Sequence, residues 1–529
     1  MAPQSPEETE GAMETSPQAT TEASLMGGNA RRDSNQFTDS LSAIRQQLHR
    51  STVPEFLLHL PTMLVEYYFN YVCQIFSSFD GTLNPFRSTI GKLWDGSAPI
   101  YFAIQSMAAA YLANHFPRMT PVGVQMQRET YRCLFQMQQG TQGQAENLDK
   151  TLLTVLLVGQ TTAWHDPKDL GLVHLKTAKR LNRRRLEQQG EGVGTRERRQ
   201  NEFFQQCILY WDMLAGFVED DVEEFGLGDV AFPEPRSSPN HEEASSSNDN
   251  NERVFPHPWT GVAPKVQKLF AEVGRLIRRY RKATTQATSS LDFLSLDFIF
   301  DIDSPSSTEA ITKAQSLEEE LLSFETPPVS SLVDAGDENT PVQHYILLAE
   351  AYRCAALLQL YRVFPSILLR RVPLADTHFS NAETDTNLFP FPIPTSLPPE
   401  EFLLSLALHT ISLLEQLPLS SGTRCLQPII FLVAGSELHF PSSFSLYYPN
   451  STQSSPSIPN SITNREIDIA TARRFVLSRL GEFCNCLPGK PVKRALRVVE
   501  EMWARGDAGV EGVFWMDVMG EMGMETIFG

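Results

Sequence analysis

The sequence predicts an all-α protein: a large multi-helix domain broken by disordered polar and acidic insertions and preceded by a disordered N-terminal tail. Three observations predict it. Apolar residues recur at helical spacing through most of the chain. No alternating apolar–polar run of useful strand length occurs. Serine, proline, asparagine and aspartate crowd into a few tracts instead of spreading evenly. No fixed period of about 30–45 residues repeats, which argues against a regular solenoid. With 529 residues, 41% of them apolar, the chain has material for a sizeable core.

The elements follow in order. Residues 1–52 are expected to be a disordered tail, since residues 1–50 carry seven acids, four basic residues and no apolar signal core. The helical domain is expected over 53–529. In TMLVEYYFNYVCQIF (62–76), Leu64, Tyr67, Tyr68, Tyr71 and Ile75 form a helical stripe, and Gly81 is the stop signal after it. YFAIQSMAAAYLANHF (101–116) sets Ile104, Ala108, Tyr111 and His115 on one face. LLTVLLVG (152–159) is apolar all round and is expected to be buried. Asp166 before Pro167, with Asp169 at the third position, reads as a helix start. Asn201 to Val218 predicts a helix with Phe203, Phe204, Cys207, Ile208 and Trp211 inward.

Residues 219–252 hold eleven acids and one arginine and predict an insertion over about 219–258. A helix PKVQKLFAEVGRLIRRYRK follows, then little order is expected over 283–340. Helices are expected again at 341–372, about 399–417, 424–438, 464–486, 490–505 and 510–525. Polar loops fill about 373–398 and 441–463.

FDGTL (79–83) echoes the D-x-D-G-T of aspartyl-nucleophile phosphatases, with Asp80 at the place of the second Asp. The position of the nucleophile is Ser78, which has no base nearby in sequence, and a helix rather than a strand leads into it. Asp80 therefore reads as a turn residue. His165 with Asp166, and His174, could be drawn as a base and its orienter, but Asp166 is better explained by capping. AGSEL (434–438) is not a nucleophile elbow, and no phosphate-binding glycine loop occurs. The seven cysteines are an odd and scattered set, so disulfides are not expected; Cys484 and Cys486 form a lone C-x-C without a second pair. No catalytic set, cofactor or metal is expected.

Two charge features stand out. Residues 176–199 hold nine Lys or Arg against three acids. Lys176, Lys179, Arg180, Arg183, Arg184 and Arg185 fall on one helix and are the candidate nuclear-import patch, with a solvated face as the plainer alternative. DFLSLDFIFDID (292–303), with four acids and three phenylalanines, reads as an activation-type segment or a segment docked on the parent domain. The net charge of −19 argues against coating nucleic acid by bulk attraction. No apolar run approaches the ~18–20 residues of a membrane span, so a soluble intracellular chain is expected.

Seven phrases carry a resemblance. They are LVEYYFNYVCQIFSSFDGTLNPF, LWDGSAPIYFAIQSMAAAYLANHFP, AWHDPKDLGLVHL, LYWDMLAGFV, LQLYRVFP, PIIFLVAGSEL and FWMDVM, spread over about 55–525. In these phrases the chain resembles the fungal-specific transcription factor domain, the regulatory domain of fungal zinc-cluster regulators. The resemblance implies an all-α regulatory domain acting in the nucleus on transcription, often of a metabolic or biosynthetic gene set. It implies protein partners: the transcription machinery, a zinc-cluster regulator, or a second chain in a homo- or heterodimer. Residues 1–52 contain no cysteine, so the six-cysteine zinc cluster of full-length members is not expected in this chain, nor is direct sequence-specific DNA contact. A non-DNA-binding helical scaffold or sensor is the alternative reading.

Overall fold

Helical spacing in the sequence becomes helix throughout the computed structural model, which describes residues 59–139, 144–189, 194–219, 253–291, 305–371, 398–440 and 463–528. Among the described residues the β-type pairings are two isolated bridges, Val254 with Leu332 and His257 with Gly261. The chain divides into Met1–His59, of which His59 is described, and Leu60–Gly529.

The second unit opens with α1 (Leu60–Tyr67), which passes through a π turn at Tyr68–Val72 into Cys73–Ile75. The π turn admits one extra residue, so the aromatic stripe shifts register. Tyr67 and Tyr68 are both buried as a result, and the Tyr68 hydroxyl reaches across to donate to the carbonyl of Phe86 at 2.9 Å. Next come α2 (Ala98–Leu112), α3 (Thr120–Gln139), α4 (Gln144–Gln160), α5 (Leu172–Gln188) and α6 (Thr195–Ala215). The later helices are α7 (Pro264–Leu291), α8 (Pro305–Leu322), α9 (Val342–Val363), α10 (Pro365–Arg371) and α11 (Pro399–Glu415). The last four are α12 (Pro428–Gly435), α13 (Asn464–Cys486), α14 (Gly489–Asp507) and α15 (Trp515–Glu521).

Three of these helices are core on nearly every side. In α2 the run Ala103 to Tyr111 is buried without a break, in α9 the run Ala351 to Tyr361, and in α12 every residue. Such helices have no solvent face and need neighbours all round. The neighbours pair off locally: α2 packs on α3, α4 on α5, α6 on α7, α7 on α9, α9 on α11, and α13 on α14. Small residues allow the tightest crossings. A Cβ placed on Gly159 of α4 would lie 2.3 Å from the Trp211 ring of α6.

Several expectations need correction. Asp166 does not start a helix. The short turn Thr162–His165 ends there, the Asp166 carboxylate accepts the N–H of Lys168 at 3.0 Å, and α5 begins only after Gly171. Gly171 has φ +64, and a Cβ there would sit 2.5 Å from the Gly159 carbonyl, so the chain must turn before the helix can begin.

The stretch 283–340 holds far more structure than its Ser/Thr/Pro/Asp content suggests. α7 runs on to Leu291, and α8 buries Ala314, Leu317 and Leu321 completely. Residues 253–258, inside the expected insertion 219–258, carry the buried His257. The helix expected at 424–438 is a 3₁₀ turn, Gly422–Leu426, followed by α12, because Pro428 cannot donate a backbone hydrogen bond. The helix expected at 510–525 shrinks to α15, between Gly512 and Gly523, both at positive φ. The acidic–aromatic segment 292–303 lies outside the described residues.

Candidate functional site

The turn Ser77–Asn84 is where distant parts of the chain meet. Asn84 caps the next turn by accepting the Phe86 N–H at 2.9 Å, and its amide donates back to the Cys73 carbonyl at 3.0 Å. Gly81, at φ +123, lets the chain reverse. The backbone of Ser78 is then held from three sides. Its N–H donates to Pro258 at 2.8 Å, its carbonyl accepts the Tyr345 hydroxyl at 3.2 Å, and Gly422 presses against it so closely that a Cβ would lie 2.4 Å from its oxygen. The N–H of Asp80 donates to the Asp337 carboxylate at 3.0 Å. Phe79, Val262, Ala335 and Tyr345 close an apolar cluster over the turn.

Asp80 itself is the partner of Arg87. Nε and Nη2 of Arg87 donate to its two oxygens at 2.8 and 2.6 Å. Burial alone would raise its pKa, but the Arg87 fork, the Gly81 N–H and the Asn84 amide together hold the carboxyl below its ordinary value. Ser78 Oγ donates to the His257 carbonyl at 3.3 Å. The pair that a phosphatase would need is thus spent on structure: one group braces a carbonyl, the other an arginine.

Beside the turn, His257 clips its loop together. Nδ1 accepts the N–H groups of Trp259 and Thr260 at 3.1 and 3.2 Å, so Nε2 carries the proton and donates to the Phe203 carbonyl at 3.2 Å. Full burial drives its pKa down to about 3, and the ring stays neutral. The clip positions Trp259, whose Nε1 donates to the Phe76 carbonyl at 2.7 Å.

Trp259 is one wall of a small cavity of about 30 Å³. Phe76, Trp164, Tyr210, Leu426 and Phe528 form further walls, and no lining residue is charged. Phe76 meets Trp164 and Trp259 edge-on at 5.7 and 5.0 Å, and Tyr210 meets Trp259 at 5.9 Å. Gln160, the last residue of α4, also lines this space. It is 2% exposed, and neither its amide nitrogen nor its amide oxygen has a hydrogen-bond partner.

Four of the seven sequence phrases converge here, through Phe76, Trp164, Tyr210 and Pro428. The profile of the family described as fungal specific transcription factor domain matches residues 63–529, which takes in all of these walls. The chain belongs to the fungal specific transcription factor domain family. Comparison with curated proteins and with solved structures gives no match. The family consists of transcription factor regulatory domains, not of enzymes, and membership supports a role in transcriptional regulation. No helix among the described residues is long and apolar enough to cross a membrane.

The fungal transcription factor domain divides the basic helix α5 into two faces. Lys176, Arg180, Arg183 and Arg184 are exposed. Lys179 and Arg185 are buried. Lys179 pairs with Asp212 of α6, which also accepts from Arg275 at 2.8 Å. Arg185 pairs with Asp149 and with Asn201. The six cations therefore do not form one surface patch, because Lys179 and Arg185 share the inward face of Leu175, Ala178 and Asn182. The inward spacing is present in the sequence, where Lys179 and Arg185 fall at helical spacing with Leu175, Ala178 and Asn182.

The histidine pair also separates. His165 Nε2 lies 2.9 Å from Ser106 Oγ, which itself donates to the Gly123 carbonyl. Burial and then the nearby Lys490 lower the His165 pKa to about 4. His174 instead stacks on Tyr131 at 5.1 Å.

Cys484 and Cys486 are free thiols at the end of α13. Sequence reasoning missed one mixed group, Glu350 and Cys354 on α9 with His409 on α11, whose potential ligand atoms lie within 4.8 Å of one another. Arg353 donates to both Glu350 oxygens, at 2.9 and 2.7 Å, so a fixed cation already neutralises the carboxylate. That arrangement suits an internal ion pair better than a dication.

Proposed function

We propose that this chain is a nuclear regulator that controls a metabolic or biosynthetic gene set through protein contacts. The observation that carries the reading is the match to the regulatory-domain family over 63–529, in a chain with net charge −19. A strongly acidic chain has little bulk attraction for DNA, so its route to a promoter runs through a partner. The partner proposed is a zinc-cluster regulator or the transcription machinery. Entry to the nucleus is assigned to the exposed cations Lys176, Arg180, Arg183 and Arg184, since buried Lys179 and Arg185 are not available to an import receptor.

The decisive experiment is chromatin occupancy of the tagged chain, with and without candidate zinc-cluster partners. Discrete promoter peaks that vanish with one partner are expected. An exclusively cytoplasmic chain without chromatin signal would overturn the reading in favour of a scaffold or sensor. Replacing Lys176, Arg180, Arg183 and Arg184 with Gln in a fluorescent fusion should reduce nuclear accumulation while the protein stays folded; an unchanged nuclear signal removes the import assignment.

A further inference from the structure

We propose that the acidic segment 219–252 docks, within the same chain, on the exposed basic face formed by α5 and the first turns of α6. The contact is electrostatic, and it stands whether or not the same cations serve nuclear import. Three observations carry it.

The first is where the segment is tethered. α5 and α6 lie antiparallel, with Lys179 beside Asp212 and Arg185 beside Asn201. The segment leaves at the Lys179 end, where the N–H groups of Val218 and Glu219 donate to the Ala215 carbonyl at 3.0 and 2.9 Å. The chain returns at the opposite end. Phe255 lies under the Arg199 guanidinium at 5.6 Å, and His257 donates to the Phe203 carbonyl at 3.2 Å. Arg199 and Ala215 are about 24 Å apart along α6, whereas residues 220–252 reach about 100 Å when extended. The segment therefore passes from the level of Lys179 to that of Arg185 with chain to spare for lying on α5.

The second is charge. Lys176, Arg180, Arg183 and Arg184 of α5 and Arg196, Arg198 and Arg199 of α6 are exposed, beside the exposed acids Glu187 and Glu197. The Glu197 carboxylate is already engaged, accepting the Gly194 N–H at 3.1 Å. Among the described residues Lys176, Arg180, Arg184 and Arg196 make no ion pair. Segment 219–252, joined directly to α6, carries eleven acids and one arginine.

The third is the cost of leaving the face bare. Arg180, Arg183 and Arg184 stand three and four residues apart on one helix, where like charges repel. Arg196, Arg198 and Arg199 occupy the first turns of α6, where the helix dipole favours acids over cations. An anionic segment laid across both helices relieves both penalties. Tethered at each end, it meets the face at an effective concentration of about 1 mM. A contact with a dissociation constant of about 0.1 mM between separate molecules is then about nine-tenths formed within the chain.

The test uses the purified full chain and phenylglyoxal, which labels accessible arginines, read by peptide mass spectrometry. Arg474 on α13 is exposed and serves as the internal reference. At low salt, labelling of Arg180 and Arg184 should be about fivefold or more slower than in a chain whose acids at 219–252 are replaced by Asn and Gln. In the wild type itself, labelling relative to Arg474 should rise to the same rate at about 1 M salt, where the screening length is about 3 Å; this arm needs no variant to fold. In the converse variant, with Lys176, Arg180, Arg183 and Arg184 replaced by Gln, trypsin should cut after Arg236, the one arginine of the segment, faster than in the wild type. Equal labelling with and without the acids, or a trypsin rate unchanged by the four replacements, means a bare face left to other acidic partners and overturns the proposal. Protection found on Arg279 of α7 in place of Arg180 and Arg184 puts the segment on a different helix and overturns it as well.

Discussion

At the scale of single residues, the histidines set the acid response. His257 has a folded pKa of about 3, and His165 and His439 of about 4. The free value is about 6.5. Between these values the unfolded chain binds protons that the folded chain refuses, so stability falls as pH drops from about 6.5 and the loss is complete only near the folded values. Each group contributes a slope of up to about 1.4 kcal/mol per pH unit. His257→Asn keeps an acceptor for the Trp259 and Thr260 N–H groups but cannot titrate. Its stability at pH 7 should be lower, because the bond to Phe203 is lost, while the slope between pH 6 and 5 should fall by about one proton. Urea unfolding at a series of pH values measures both effects; an unchanged slope would contradict the neutral clip. Asp80 makes a second case. Asp80→Asn keeps one acceptor for Arg87 and should cost about 1 kcal/mol, whereas Asp80→Leu strands Arg87 and should cost about 2–3 kcal/mol. Neither variant should differ from wild type towards a generic phosphate ester with Mg²⁺. Wild-type hydrolysis that disappears in Asp80→Asn would restore the catalytic reading.

At the scale of elements, α5 shows how a helix can be misread by charge alone. Its outward cations are exposed to solvent, and its inward ones, Lys179 and Arg185, hold α6 and α4 in place. Lys179→Met leaves Asp212 buried with Arg275 as its remaining partner, and breaking such a pair should cost about 3 kcal/mol. The fourfold Gln replacement at 176, 180, 183 and 184 should change stability by no more than about 1 kcal/mol. Chemical melts of both variants separate the faces; equal losses would mean the division is wrong. The same lesson applies to α8. A window average over 283–340 is polar, yet Ala314, Leu317 and Leu321 fall at helical spacing, and Glu318 beside them is fully buried among Tyr361, Arg370 and Arg371. Periodicity was legible there and composition concealed it. Helices such as α9, α11 and α13 were legible because their apolar residues are dense and their ends are marked by proline or, at Thr463, by a capping box.

At the scale of the whole molecule, the fold class and the regulatory family were readable, and the site was readable only in part. FDGTLNPF announced a turn, but nothing local to it named Pro258, Asp337, Tyr345 or Gly422 as partners, since long-range pairing leaves no periodic trace. Gln160 did leave one: a lone amide at the end of an apolar run. Because the turn and the cavity join early and late helices, the described core should unfold as a unit. Trp259→Ala removes the ring between Phe76 and Tyr210 and should cost about 3–5 kcal/mol. Hydrogen exchange should then show protection falling together in α6 and α12. Loss confined to α6 would show that the halves are independent.

The grip on Ser78 also fixes an order of events during synthesis. Its carbonyl waits for the hydroxyl of Tyr345, 267 residues later. At about 5–20 residues per second, a ribosome needs roughly 15–50 s to supply that partner. Through that interval the ring of Phe79, whose cluster is closed by Ala335 and Tyr345, has no finished core to enter. That interval of synthesis is where protection of the nascent chain should matter to its yield, separately from the stability of the finished fold.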